Sequence, residues 1–199
     1  MAVNLNVHNV IKAILIAILI AIGAYSIGAL IFLGWGQVQL NLEAHKDKQA
    51  LSKIVIVNGQ PTAAKGNIVS DSLTSGVDNV TASATFLIDE TLAQEDSSVQ
   101  RNLNKAGFVA DGKPITDTIR SDIHYVLQKY IRGKETIVIR YTLNKPYPCP
   151  QDKECYYYPN KVSSDQLFDV SLLAYEKVKR LDVGYKQAPL SSLREPFGY

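Results

Sequence analysis

The sequence has few of the residues from which protein metal sites are built. Its 199 residues include three His (His8, His45 and His124) and two Cys, and the cysteines lack the Cys-x-x-Cys spacing. A structural zinc site needs four such ligands, usually in closely spaced pairs. The composition therefore predicts neither a bound metal nor a cofactor.

Sequence motifs for catalysis and nucleic-acid binding are also missing. The chain contains no Gly-x-x-x-x-Gly-Lys-Ser/Thr, Gly-x-Gly-x-x-Gly, His-Glu-x-x-His or Gly-x-Ser-x-Gly motif. Its formal net charge is only +2, and acidic residues are interleaved with the basic ones. We therefore expect a protein without catalytic residues that does not bind nucleic acid.

A long apolar run near the N-terminus is the strongest signal in the chain. Residues 11–33 carry one charge, Lys12, and a helix of this length spans roughly 34 Å, enough for a bilayer core of about 30 Å. Signal peptides and buried core helices usually have shorter apolar runs. We predict a transmembrane helix over residues 10–36 after a short cap at 1–9, with Trp35 at the lipid interface.

The small residues of this run share one side of the predicted helix. At about 100° per residue they project within an arc of about 80°, while Ile and Leu cover most of the remaining surface. Membrane helices associate where small side chains let their backbones approach closely. The partners predicted for this face are other transmembrane helices, of a complex or of a second copy. The face consists of Ala13, Ala17, Ala21, Ala24 and Gly28.

Cys149 and Cys155 lie in a proline-bearing loop, close enough in sequence to form a disulfide. Disulfides persist in oxidising compartments such as the bacterial periplasm. Lys46, Lys48 and Lys53, which follow the span, argue mildly for the opposite orientation, but long domains translocate largely regardless of nearby charge. We predict a single-pass protein of the bacterial inner membrane whose C-terminal domain is periplasmic.

The remaining chain reads as a stalk helix at 37–53, a globular domain at 54–182 and an extended tail at 183–199. Residues 80–89 alternate apolar and polar side chains and predict a half-buried strand, as do residues 136–143. Shorter strands are predicted at 54–57, before the Asn58-Gly59 turn, and at 67–69. Three helices are predicted, over 97–105 with Ser97 or Ser98 as the cap, over 114–132 with Gly133 as the stop, and over 163–181.

These elements predict an α+β fold, in which a single N-terminal transmembrane helix precedes one extracytoplasmic domain with a mainly antiparallel sheet and amphipathic helices. Four tyrosines near the cysteine loop predict either an aromatic interface or side chains that enter the core. They are Tyr147, Tyr156, Tyr157 and Tyr158.

The function expected from this reading is a noncatalytic membrane subunit or scaffold of a larger cell-envelope assembly, such as a secretion, conjugation, pilus, motor or bioenergetic complex. Two alternatives remain open. A membrane-tethered enzyme would gather His124 or an acidic pair, Asp89-Glu90 or Glu95-Asp96, in one site. An extracytoplasmic ligand-binding or sensor module would contain an apolar pocket. Acidic pairs of this kind also bind cations, although most are simply solvated.

Overall fold

The computed structural model describes residues 7–71, 77–156 and 167–187. The chain divides after Leu42 into an N-terminal unit and a compact unit that begins at Glu43.

Helix α1 (Val7–Ser52) runs without a break through the predicted span and the predicted stalk. It is long and apolar enough to cross a membrane by length and composition. In residues 14–36, here called the apolar section, every large apolar side chain that the structure describes is at least 49% exposed. In residues 43–52, here called the terminal section, Ala44, Asp47 and Leu51 are buried. Their spacing of three and four residues places them on one face of the helix.

In the described residues, the compact unit is built on an antiparallel sheet of seven strands in the order β1-β2-β7-β6-β5-β3, with β4 also paired to β5. The antiparallel sheet and the α+β class agree with the prediction. The strands are β1 (Lys65–Asp71), β2 (Val77–Thr91), β3 (Val109–Ala110), β4 (Ile115–Ile119), β5 (Asp122–Arg132), β6 (Glu135–Pro148) and β7 (Lys177–Lys186).

Strands β1, β2 and β6 confirm three sequence predictions. In β2 the side chains of Ala82, Ala84 and Phe86 are buried while Thr85 and Leu87 are exposed, as the alternation requires. The predicted strand at 54–57 is wrong, because this segment follows α1 as irregular chain with Ile54 and Ile56 buried.

The predicted helix over 114–132 is wrong, because this segment forms the β4–β5 hairpin. Its turn places Arg120 at φ 52° and Ser121 at φ 71°, the left-handed conformation of a tight hairpin turn. A bulge between Ile123 and Tyr125 shifts the alternation of β5. Ile123 and Val126 are therefore both buried three residues apart, a spacing that resembles a helix. Gly133, predicted as the helix stop, instead lies in the β5–β6 turn at φ 60°.

The predicted helix over 163–181 is also wrong in the residues that the structure describes. A short 3-10 turn (Val170–Leu173) is followed by β7, which lies between β2 and β6. Strand β7 continues to Lys186, so the predicted end of the domain at 182 falls inside a strand. Residues 163–166 and most of the predicted tail, 188–199, lie outside the described residues.

Helix α2 (Leu92–Lys105) begins earlier than predicted. Thr91 is its N-cap, and the Thr91 and Gln94 side chains form a capping box, so the prediction of Ser97 or Ser98 as the cap is wrong. Leu92, Val99 and Leu103 of α2 join one core with the terminal section of α1 and the inner face of the sheet.

Candidate functional site

A cavity of about 470 Å³ lies where β2 passes into α2, and we call it the acidic pocket. Three carboxylates and four neutral polar side chains line it beside an apolar wall. The lining residues are Val57, Asn58, Gln60, Leu87, Ile88, Asp89, Glu90, Gln94, Glu95 and Ser98.

The Thr91 cap places the two acidic pairs near each other. It ends β2 just after Asp89 and Glu90 and begins α2 just before Glu95 and Asp96. A bulge in the pairing of β2 with β7, between Leu87 and Glu90, interrupts the sheet at the same point. The turn from strand to helix thus gathers carboxylates from both elements.

Glu95 is the most unusual of these groups. Glu95 is only 6% exposed, and its Oε1 atom is buried without a hydrogen-bond partner. Burial raises the pKa of Glu95, and the nearby charges of Glu90 and Asp96 raise it further. Buried carboxylate oxygens in native proteins are normally paired, so this one requires a specific explanation.

Asp96, its neighbour in α2, has partners in the sheet. The hydroxyl of the buried Tyr141 donates a 2.8 Å hydrogen bond to Asp96. Burial raises the pKa of Asp96, while hydrogen bonds with Tyr141 and Tyr130 oppose the rise. Asp96 is therefore a structural contact between α2 and the sheet.

Asp89 is neutralised at the surface. The Lys177 ammonium lies 3.0 Å from its carboxylate, and both side chains are largely exposed. Such a pair contributes little to folding, but it removes Asp89 from the uncompensated charge of the acidic pocket.

The polar wall of the acidic pocket is held by hydrogen bonds. The Asn102 amide donates to the Ile56 carbonyl at 2.8 Å and to the Asn58 side chain at 3.0 Å. Asn58 in turn donates to the Ser98 hydroxyl at 3.2 Å. These bonds fix the loop after α1 against α2, so the wall is preformed.

The predicted packing face lies on α1, where Ala17, Ala21, Ala24 and Gly28 are exposed, and the side chain of Ala13 is outside the described residues. A Cβ added at Gly28 would meet no atom within 4 Å. The face is open to a neighbouring helix, and its packing role stays a prediction.

The cysteine loop folds back on the domain. The sulfur atoms of Cys149 and Cys155 are 2.03 Å apart, a disulfide distance, and Cys155 is buried. Tyr147 packs its ring against Phe168 at 5.8 Å between centroids, and Tyr156 is half-buried. The predicted aromatic interface at Tyr157 and Tyr158 lies outside the described residues.

His124 lies on β5 beside the ring of Tyr125 and does not line the acidic pocket.

Within residues 7–71, 77–156 and 167–187, no three His, Cys, Asp or Glu residues are arranged to hold a metal ion.

Sequence reasoning identified both acidic pairs but missed the burial of Glu95. The signal was present in α2, where Leu92, Glu95, Val99, Asn102 and Leu103 recur at helical spacing and form its buried face.

The chain matches no protein-family model, no curated protein and no solved structure. Its function is therefore inferred from its own residues.

Proposed function

We propose that the chain is a noncatalytic single-pass membrane subunit, or scaffold, of a larger cell-envelope assembly. The proposal places α1 in the bacterial inner membrane among other transmembrane helices. The sheet domain then docks with other subunits on the periplasmic side.

The apolar section of α1 is the observation that carries this proposal. Its Ile, Leu, Phe and Tyr side chains are exposed around the helix, from 49% at Ile18 to 81% at Tyr25. Transfer of one such side chain out of water is worth about 1.5 to 3 kcal/mol, so this surface strongly favours lipid over water. An exposed apolar surface of this extent is typical of a membrane or protein contact.

The small-residue face of the apolar section supports association within the membrane. Leucine side chains gain little by leaving lipid tails for one another, whereas small residues let two backbones approach closely. The five small residues therefore favour a neighbouring helix on that side.

The disulfide supports the periplasmic placement of the domain. Thiols in the cytosol are kept reduced, whereas a Cys149–Cys155 bridge persists in an oxidising compartment. The N-terminal cap would then lie in the cytoplasm.

Purification in mild detergent tests the proposal. We expect the wild-type chain to co-purify with a fixed set of membrane proteins, identified by mass spectrometry. Replacing Ala17, Ala21 and Gly28 by Leu should abolish or reduce that recovery. The matched control replaces Leu15, Leu19 and Leu30 by Ile on the opposite side of α1, and it should leave recovery unchanged.

Two results would contradict the proposal. One is recovery of the wild-type chain alone, as a monodisperse monomer. The other is equal loss of partners in the small-face and control variants, which would show that any change in the helix disrupts association.

The acidic pocket favours a second candidate function, that of an extracytoplasmic ligand-binding module. Its volume lies within the range of small-molecule sites, commonly about 300 to 1,000 Å³, although its lining is mostly polar and differs from the apolar pocket predicted for such a module. A chain that purifies as a monomer with a bound small molecule would support this function over the first.

A further inference from the structure

Strand β1 (Lys65–Asp71) forms one edge of the sheet, which we call the β1 edge. It pairs with β2 on one side, and no strand in the described part of the chain pairs with its other side. The free side of an edge strand presents a row of backbone N–H and C=O groups, which makes it a template for a further strand. The β1 edge is therefore a candidate interaction surface.

The β1 edge lacks the short length, the bulges and the prolines by which proteins commonly prevent edge pairing. It has seven residues, and its pairing with β2 runs from Lys65 to Asp71 without a shift in register. The opposite edge of the sheet is divided between the two-residue strand β3 and strand β4, whose pairing with β5 is bulged between Asp117 and Thr118. Of these two edges, only the β1 edge is long and regular enough to accept a strand.

Helix α1 supports the β1 edge from one face of the sheet. A Cβ on Gly66 would lie 2.5 Å from the carbonyl oxygen of Ala44, so the helix and strand backbones are in direct contact. Ile68 lies two residues further along the same face of β1 and is 37% exposed. The strand is thus held in place with a partly exposed apolar side chain at its centre.

The sequence of β1 is complementary to itself in the antiparallel direction. When two copies pair about Ile68, this residue lies opposite its own copy. Lys65, at the start of one strand, then lies opposite Asp71, at the end of the other. Opposite charges and apolar side chains that face each other across two strands are stabilising, whereas like charges are destabilising. A parallel pairing in register would place lysine beside lysine, so the charges favour the antiparallel arrangement.

We propose that two copies of the chain associate through antiparallel pairing of their β1 strands about Ile68. The two seven-stranded sheets then form one continuous sheet, and the same surface serves both copies around a twofold axis. The two Ile68 side chains cover each other at that axis. This inference goes beyond the proposed function, because it assigns a second copy of the chain to the β1 edge and requires no other subunit.

Cysteine cross-linking of the full chain in detergent tests the register. The native cysteines are bonded to each other, so an introduced cysteine is available for a new bond. Opposite Cα atoms of an antiparallel pair lie about 4.5 to 5.5 Å apart, within the range of a disulfide. Under mild oxidation, a mixture of Lys65→Cys and Asp71→Cys chains should give at least tenfold more covalent dimer than either variant alone. Two copies of Lys65→Cys are the matched control, because the register separates their cysteines by about 20 Å.

Substitutions at the two edges of the sheet locate the contact. Ile68→Lys places two ammonium groups opposite each other at the axis and should raise the dimer dissociation constant at least tenfold. Ile119→Lys makes the same change on β4, where Ile119 is 44% exposed, and should leave the constant unchanged. Light scattering of the detergent-solubilised chain over a series of concentrations measures the constant. Near-UV circular dichroism verifies that each variant is folded.

A charge exchange tests the pairing of the strand ends. Lys65→Asp places two acidic residues opposite each other at both ends of the pair and should weaken the dimer several-fold. The double variant Lys65→Asp/Asp71→Lys restores opposite charges and should dimerise as the wild type does. Equal weakening in the single and the double variant would contradict the proposed register.

Four results would overturn the inference. The first is a wild-type chain that is monomeric at every concentration measured. The second is equal cross-linking of Lys65→Cys alone and of the mixture, which would indicate random collision or another register. Unchanged dimerisation of Ile68→Lys would place the contact elsewhere. A cross-link from Lys65→Cys to a different protein in cell membranes would assign the β1 edge to that protein.

The membrane helix and the β1 edge are tested separately. In the variant with Ala17, Ala21 and Gly28 replaced by Leu, the cross-link between positions 65 and 71 should persist. Its loss there would assign self-association to the membrane helix and overturn the inference. Recovery of membrane partners without a β1 dimer would leave the proposed function standing while the inference is wrong. A chain that purifies only as a β1-linked dimer would contradict the proposed function while the inference stands.

Discussion

The two sections of helix α1 are made of similar residues but face different surroundings. In the apolar section Leu19 is 68% exposed, whereas in the terminal section Leu51 is completely buried. Leu51 belongs to a protein core that covers it, and Leu19 has no such cover among the described residues. One continuous helix thus presents apolar side chains to two different environments, a protein core and, in our proposal, lipid.

The two sections therefore differ mainly in the periodicity of their buried residues and less in how apolar they are. In the terminal section, burial follows a single face through Ala44, Asp47 and Leu51. In the apolar section, large side chains are exposed on most sides of the helix, as expected of a segment surrounded by lipid. If this account is correct, the sheet domain should respond to substitutions in the terminal section and ignore those in the apolar section.

The largest effect should come from leucine truncation. Leu51→Ala removes a fully buried side chain and should lower the free energy of unfolding of the sheet domain by about 2 to 5 kcal/mol. Leu19→Ala should change it by less than about 0.5 kcal/mol. Urea denaturation in detergent, followed by the near-UV signal of the buried tyrosines, measures both. Equal destabilisation by the two variants would show that the sections are not distinct.

Glycine substitution should sharpen the same comparison. A Cβ at Gly66 of β1 would lie 2.5 Å from the carbonyl oxygen of Ala44 in the terminal section, so Gly66→Ala must push the helix and the strand apart. We expect a loss of up to about 3 kcal/mol. Gly34→Ala, in the apolar section, meets no atom within 4 Å and should cause no loss in the same denaturation assay. A neutral Gly66→Ala would contradict the close packing of α1 on β1.

Removing the disulfide should affect the domain alone. The double variant Cys149→Ala/Cys155→Ala opens a short ring and should cost about 2 kcal/mol of unfolding free energy on the chain-entropy estimate. Reduction of the wild-type chain should reproduce this loss. Membrane extraction of the variant should be unchanged. Free thiols in protein isolated without reductant would contradict the bridge and weaken the periplasmic placement.

A smaller, pH-dependent effect is expected from Glu95. Its pKa is raised in the folded chain by burial and by Glu90 and Asp96. The ionised form is therefore disfavoured by folding. The contribution of Glu95 to stability should be greatest below its unfolded pKa of about 4.3 and fall as the pH rises toward the folded pKa. Lys177, a cation at the edge of the acidic pocket, is engaged by Asp89.

Glu95→Gln should remove its own part of this decline and stabilise the domain at pH 8 by about 1 kcal/mol. Asp47, whose pKa burial raises to about 6, and Asp96, whose pKa is also raised, should leave a residual slope. Denaturation of the wild type and of Glu95→Gln at pH 4 and pH 8 measures both the stabilisation at pH 8 and the remaining dependence of stability on pH. A variant less stable than the wild type at pH 8 would show that Glu95 has a folding partner.

Sequence patterns predicted the parts of the fold where local periodicity is regular. The long apolar run of α1 and the alternation of Ala82, Ala84 and Phe86 in β2 each have one interpretation. The sequence of strand β7 has two interpretations, because bulges in its pairing with β2 and β6 fall between Val178 and Arg180. Val178 and Leu181 are both buried as a result, and this three-residue spacing resembles a helix.

The acidic pocket was predictable only in part. Both acidic pairs are visible in the sequence, and the Thr91-x-x-Gln94 capping box fixes which residues of α2 face inward. The pairing of Asp96 with Tyr141, 45 residues away, depends on the sheet register and has no local signal. The loop after α1 reaches the same pocket through long-range contacts, such as the Asn102 bond to Ile56, and these too have no local signal.

Membrane extraction of the full-length chain tests the central claim most directly. Cell membranes are washed with alkaline carbonate and then dissolved in mild detergent, and the chain is followed in each fraction. The account predicts that the chain stays with the membranes through the carbonate wash and enters solution only with detergent. Recovery of the chain in the carbonate supernatant, or in the soluble fraction before the wash, would contradict it.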